Sequence, residues 1–258
     1  MKSYQGYLID LDGTMYRGKE PIPEAVTFVK ELQSQRIPYL FVTNNSSATP
    51  EDVALKLQNM GVPCREDHVL TTSLATAEYL SAQSVKQSAY VIGEDGLKEA
   101  VRSAGIVVEE ENPGFVVIGI DRSVTYQKLA NACIAVRNGA HFVSTNADVA
   151  LPSEKGFLPG NGAVTSVVTI STGTEPVFIG KPEKIMIEQA VDILGVPSEQ
   201  TAVIGDNYET DIKAGINAGL DTIHVGTGVT TREALLEKPI QPTYAISSLQ
   251  DWNITTPY

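Results

Sequence analysis

Short runs of mainly apolar residues recur along the chain at 7–9, 39–43, 89–92, 115–118, 142–144, 177–179, 202–204, 222–225 and 244–246. Most are continuously apolar rather than alternating, a pattern that suits strands buried on both faces of a parallel sheet. Amphipathic stretches lie between them. Pro23-Glu24, Thr49-Pro50-Glu51-Asp52 and Pro182-Glu183 supply helix start signals, with a proline and acids in the first turn. Gly61, Gly105, Gly139, Gly195 and Gly219 fall where helices end. The alternation predicts an α/β fold with a doubly wound, mostly parallel sheet. No repeat, low-complexity tract or Gly/Ser-rich linker marks a domain boundary.

Composition narrows the class. A chain of 258 residues, 42% hydrophobic and 19% charged, has the length for one large or two small domains and the balance of a soluble globular protein. The longest apolar run, allowing one glycine, is 115–120, far short of a membrane span. The opening MKSYQGYLIDLDGT carries no apolar stretch of signal-peptide length, so a cytoplasmic chain with no membrane partner is expected. With 19 Lys plus Arg against 31 Asp plus Glu, the net charge of −12 repels nucleic-acid phosphates and anionic lipid. A small anionic substrate stays open, because a local metal ion can outweigh the global field. Cys64 and Cys133 form no disulfide framework or thiolate metal site, and His68, His141 and His224 lack ligand spacing.

The chemistry starts where the first apolar run ends, in Asp10-Leu11-Asp12-Gly13-Thr14. Carboxylates at the carboxyl end of a buried strand sit where open α/β sheets place ligands. If the strand continues through them, alternation puts both on one side. Two acids so close repel, and burying them unpaired is expensive, so a divalent cation is expected, Mg²⁺ by its preference for oxygen ligands. A plain Asp-Gly turn is the simpler alternative. The run 202–204 ends likewise in Gly205-Asp206-Asn207-Tyr208-Glu209-Thr210-Asp211. An acidic helix start explains Glu209 but not Asp206, which mirrors Asp10. If the two strands are neighbours, Asp10, Asp12 and Asp206 converge on one acidic pocket, with Asp211 as a further candidate. Thr43-Asn44-Asn45-Ser46-Ser47 and Gly180-Lys181-Pro182 fit a phosphate beside it, through Thr43, the Asn44 backbone N–H and the Lys181 ammonium. A polar capping loop and a solvated lysine are their simpler alternatives. Gly160-Asn161-Gly162 and Gly226-Thr227-Gly228 make no dinucleotide fingerprint, and loop turns account for them.

The ordered set DLDGT, VTN, GKP and GDNYETD resembles the haloacid dehalogenase-like phosphohydrolases over nearly the whole chain. More closely it is similar to the subclass with a large α/β cap, which includes the NagD-type sugar phosphatases and the pyridoxal-phosphate and nitrophenyl phosphatases. The resemblance implies Asp10 as nucleophile and Asp12 as general acid and base. It implies Asp10, Asp206 and the Asp12 carbonyl as Mg²⁺ ligands, with Asp211 at the metal or supporting it. Thr43, Asn44 and Lys181 match the phosphate-holding positions, and Asn207 and Tyr208 lie beside the substrate in this family. Asn44 and Lys181 are much farther apart than a crossover of about a dozen residues requires. A cap domain is therefore expected at 78–176, inserted into a core of 1–77 plus 177–258. Ser144-Thr145-Asn146-Ala147-Asp148 resembles the family's TNPD-like cap segment, with Ala147 in place of proline, and suggests Asn146 and Asp148 as substrate contacts. Asp12 separates the chain from haloalkanoate dehalogenases. The activity implied is Mg²⁺-dependent hydrolysis of a small phosphorylated metabolite through an aspartyl phosphate, sugar phosphates and acid sugar phosphates first. Pyridoxal phosphate or nucleotides, a phosphosugar phosphotransferase or mutase, and a non-catalytic phosphate-responsive binding protein are the alternatives. A homodimer is left open.

Overall fold

The computed structural model describes residues 2–153 and 156–254. In chain order the elements are β1 (Gly6–Ile9), β2 (Tyr16–Arg17), β3 (Glu20–Pro21), α1 (Pro23–Gln35), β4 (Tyr39–Thr43), α2 (Pro50–Asn59), β5 (Val69–Thr71) and α3 (Thr72–Ser81). There follow β6 (Ser88–Ile92), α4 (Asp95–Ser103), β7 (Val107–Val108), β8 (Phe115–Ile118), α5 (Tyr126–Arg137), β9 (His141–Ser144), β10 (Ala150–Ser153), β11 (Gly156–Pro159), α6 (Asn161–Thr172) and β12 (Val177–Phe178). The last stretch holds α7 (Lys184–Leu194), β13 (Thr201–Gly205), a π-helical turn (Tyr208–Ile212), α8 (Lys213–Asn217), β14 (Asp221–Val225), α9 (Arg232–Leu236) and β15 (Tyr244–Ile246). Every apolar run named above is a strand, to within one or two residues.

The chain forms two compact units. One comprises Met1–Thr43, Pro50–Leu70 and Lys181–Tyr258; the other Asn44–Thr49 and Thr71–Gly180. The second unit thus takes in the 44–49 loop, residues 71–77 with the first part of α3, and residues 177–180, all outside the span 78–176. In the first, the sheet order is β15-β14-β13-β1-β4-β5. β1 pairs in parallel with β13 on one side, Ile9 opposite Ile204, and with β4 on the other, Ile9 opposite Phe41. Leu8, Ile9, Phe41, Ala202 and Ile204 are at most 2% exposed, so the central strands are apolar because both faces are covered. In the second unit a five-stranded sheet runs β12-β9-β8-β6-β7, its pairs all parallel. Its core joins Ile92, Val116, Ile118, Ala132, Val136, Phe142 and Val168.

Local signals behave as their chemistry predicts. Pro23 occupies the first turn of α1, and the five glycines expected at helix ends have φ between 69° and 97°. Pro182 does not open α7, which begins two residues later behind Glu183. Among the described residues no helix is long and apolar enough to cross a membrane.

Candidate active site

β1 stops at Ile9, and the next residue is Asp10, whose N–H still donates to Ile204 O at 2.9 Å. That last sheet contact holds the Asp10 backbone at the strand tip beside the tip of β13. β13 ends at Gly205, and Asp206 follows directly. Parallel pairing in register therefore brings the two acids to one edge of the sheet. Asp211 joins them from the π-helical turn, where its own N–H and that of Ile212 both donate to Asn207 O. Extra residues per turn of this kind are a recurrent way of redirecting a side chain at a site. One carboxylate oxygen from each of Asp10, Asp206 and Asp211 lies within 4.8 Å of the others.

Lys181 lies among these acids, only 2% exposed. Its Nζ donates to Asp10 Oδ1 at 2.6 Å, Asp211 Oδ1 at 2.7 Å and Val42 O at 2.9 Å. Burial alone would lower the ammonium pKa, but Asp10 and Asp211 outweigh it and hold it above the ordinary lysine value. The acids remain crowded. Burial and the charge of Asp211 push Asp10 well above the usual carboxylate range, against the pull of Lys181. Burial and Asp211 push Asp206 up to about 6, opposed by hydrogen bonds from Val229 and Thr14.

Asp206 is fully enclosed. Thr14 Oγ1 donates to its Oδ1 at 3.2 Å, the Val229 N–H to its Oδ2 at 2.6 Å, and the Thr230 N–H to its backbone carbonyl at 3.2 Å. Gly13, at φ +90°, packs against the same carboxylate, and a Cβ on Gly228 would fall 1.9 Å from Oδ2. Thr227 Oγ1 donates to Gly13 O at 2.7 Å. The Gly226-Thr227-Gly228 segment therefore does more than turn the chain: it walls the acidic cluster. Neither Thr14 nor the 226–230 loop was legible as part of the site, and the only signal was a pair of glycines where close approach demands them.

Three acids with one lysine carry a formal charge of −2 in a largely buried place, and their crowding raises Asp10 and Asp206 in the absence of a further cation. The donors are carboxylate oxygens, hard ligands matched to Mg²⁺ rather than to a softer metal. The residues present fit a divalent cation.

The structure places the remaining candidates differently from one another. Asp12 does not join the trio. The strand ends before it, residues 11–16 form a tight turn, and the Asp12 side chain is exposed, accepting from Tyr16 Oη at 3.2 Å. The expectation that alternation would align Asp10 with Asp12 is thereby corrected. The Tyr208 side chain faces away from the acids. It is 2% exposed, packed with Ile212 and Leu235, and its hydroxyl donates to Ile240 O at 2.8 Å. Asn207 caps the π-helical turn, its side chain accepting from the Glu209 N–H at 3.0 Å. Thr43 is buried at the end of β4, next to the carbonyl that Lys181 holds. Asn44, Asn146 and Asp148 form a separate group in the second unit. Asn146 Nδ2 donates to Asn44 O at 2.8 Å, its Oδ1 accepts from the Asp148 N–H at 3.1 Å, and Asn44 Nδ2 lies 3.3 Å from Asp148 Oδ2.

Comparison with known proteins agrees with this arrangement. Residues 7–107 match the model of the haloacid dehalogenase-like hydrolases, and residues 178–252 match a second, HAD-hydrolase-like model. The chain is 56% identical over 252 residues to the 5'-nucleotidase YutF of Bacillus subtilis, covering 98% of each. It is 54% identical over 250 residues to an acid sugar phosphatase of Staphylococcus epidermidis, covering 96% of each. Among solved structures it is similar to NagD from E. coli, with a TM-score of 0.93 at 31% identity, covering 98% of this chain and 100% of that one. A sheet whose central strand tips carry the acids, together with these matches, places the chain in the haloacid dehalogenase-like hydrolases, among the NagD-type phosphatases.

Proposed function

We propose that the protein hydrolyses small phosphomonoesters through a phosphoenzyme on Asp10, with Mg²⁺ held by Asp10, Asp206 and the Asp12 carbonyl and supported by Asp211. The observation that carries this reading is the buried cluster of Asp10, Asp206 and Asp211 around Lys181. An Asp10 oxygen attacks phosphorus and the P–O bond to the alcohol breaks. Asp12, exposed beside the cluster, gives its proton to the departing oxygen. Water then attacks the aspartyl phosphate, Asp12 takes its proton back, and orthophosphate leaves with the Asp10 carboxylate restored. Lys181, and Thr43 and Asn44 at the end of β4, would carry the charge of the transferring phosphoryl group. Bound Mg²⁺ would supply the remaining positive charge toward that group.

Acid sugar phosphates are the first substrate class, supported by the staphylococcal relatives. Nucleoside monophosphates are the second, supported by the Bacillus subtilis relative. The second unit is read as the inserted cap domain, its part in substrate choice to be measured with Asn146→Ala and Asp148→Ala. kcat/KM ratios across a panel of phosphorylated metabolites separate the two classes. The decisive experiment is Asp10→Asn, which is expected to lower nitrophenyl phosphate turnover by more than about a thousandfold. A near-normal rate in that variant removes Asp10 as nucleophile.

A further inference from the structure

Two residues that the reaction as written does not use stand beside Asp12. Tyr16 closes the turn that carries it: the Gly13 N–H donates to Tyr16 O at 2.8 Å, the Tyr16 N–H points to Leu11 O at 3.3 Å, and Asp12 and Tyr16 form an isolated β-bridge. The ring is 4% exposed, and its hydroxyl donates to Asp12 Oδ2 at 3.2 Å. A phenol is protonated at neutral pH, so the hydroxyl is the donor and the carboxylate the acceptor. Over the ring lies Lys56 of α2, its Nζ 3.6 Å from the centroid. Burial draws the Lys56 ammonium down and the Asp12 charge opposes it, so lysine, ring and carboxylate form one electrostatic group. A cation on a phenol face draws electron density from the ring and makes its hydroxyl a better donor.

We propose that Tyr16 is a positioning residue for Asp12, with Lys56 as its support. Tyr16 sets the carboxyl orientation from which Asp12 passes its proton to the leaving oxygen, as the P–O bond breaks and the bond from phosphorus to Asp10 forms. The inference rests on Asp12 as that proton donor. It has a consequence that damage to the fold does not share. A general acid matters in proportion to the basicity of the leaving oxygen. Nitrophenolate departs without a proton, whereas an alkoxide does not. In a two-step route kcat/KM ends at departure of the alcohol, so Asp12's later work on water does not enter it.

The experiment compares kcat/KM for nitrophenyl phosphate and glycerol phosphate in the full-length parent and in Tyr16→Phe, Lys56→Met, Lys56→Arg, the Tyr16→Phe/Lys56→Met double variant and Asp12→Asn. Tyr16→Phe is expected to lower the glycerol phosphate value by about tenfold, a part of the roughly hundredfold or more that a positioned general acid contributes. The nitrophenyl value should fall by less than about twofold, the proton being unnecessary there. Lys56→Met should shift the ratio in the same direction, Lys56→Arg should restore it, and Lys56→Met should add nothing once Tyr16 is Phe. An unchanged ratio in Tyr16→Phe, or full additivity of the pair, overturns the proposal. If Tyr16→Phe does not fold, the exposed Lys56 variants decide alone: an unchanged ratio in Lys56→Met overturns the proposal. Asp12→Asn keeps the two readings apart. If it leaves the ratio unchanged, the proton-donor reading falls and takes this one with it. If it collapses the ratio and Tyr16→Phe does not, only the positioning role is lost.

Discussion

Lys181 shows how tightly the site balances charge. It is the cation that Asp10 and Asp211 share in a buried place, so Lys181→Met leaves both without it. Breaking a buried pair on one side costs about 3–5 kcal/mol. Urea unfolding in EDTA should show a loss of that order, and added Mg²⁺ should recover part of it. Gly228 makes a sharper test of metal placement. Gly228→Ala would drive a methyl into Asp206 Oδ2. Titration calorimetry should then show Mg²⁺ binding weaker by about tenfold or more, the usual effect of disturbing a ligand's support. Asp10, Asp206 and Lys181 were legible because each follows a strand ending almost at once, and a charge there must face a ligand edge. The Asp12 side chain stands apart from the trio because the strand ends at Ile9, so alternation does not reach it. The partners of Asp206 on residues 226–230 were not legible, since a hydrogen bond between loops leaves no periodic trace in either.

The π-helical turn decides which of its residues face the acids. It turns Asp211 toward Lys181 and Tyr208 toward Ile212 and Leu235. Tyr208→Phe should therefore act on stability alone. Leaving the Ile240 carbonyl without its donor costs about 1–2 kcal/mol, measurable by chemical unfolding, with kcat and KM for nitrophenyl phosphate unchanged. A raised KM would return Tyr208 to the substrate. The long apolar runs were readable as strands because burial on two faces removes polar residues altogether. β5 and β7 were not, because two or three residues carry no period to detect. The β10–β11 hairpin escaped for a related reason: Phe157 and Leu158 are exposed, so its residues do not sort by burial.

At the scale of the molecule, acidity and cation binding act together. A chain of net charge −12 with buried acids should be markedly steadier with its ion. At about a hundred times its dissociation constant, Mg²⁺ adds about 2.7 kcal/mol to the folded state. For a protein of this size that is a rise in Tm of roughly 5–10 °C over EDTA, readable by calorimetry. The α/β class was legible from the alternation of elements, whereas the order of the strands was not, because parallel neighbours can be remote in sequence. That order has a bearing on how the protein is made. β1 sits in the middle of its sheet, with Gly6 opposite Thr201, which is made far later than β1. A ribosome that has released only the first half of the chain has delivered one neighbour of β1 and not the other. β1 keeps a bare apolar edge until translation is well advanced, and a nascent fragment ending short of Thr201 offers that edge to any other chain nearby.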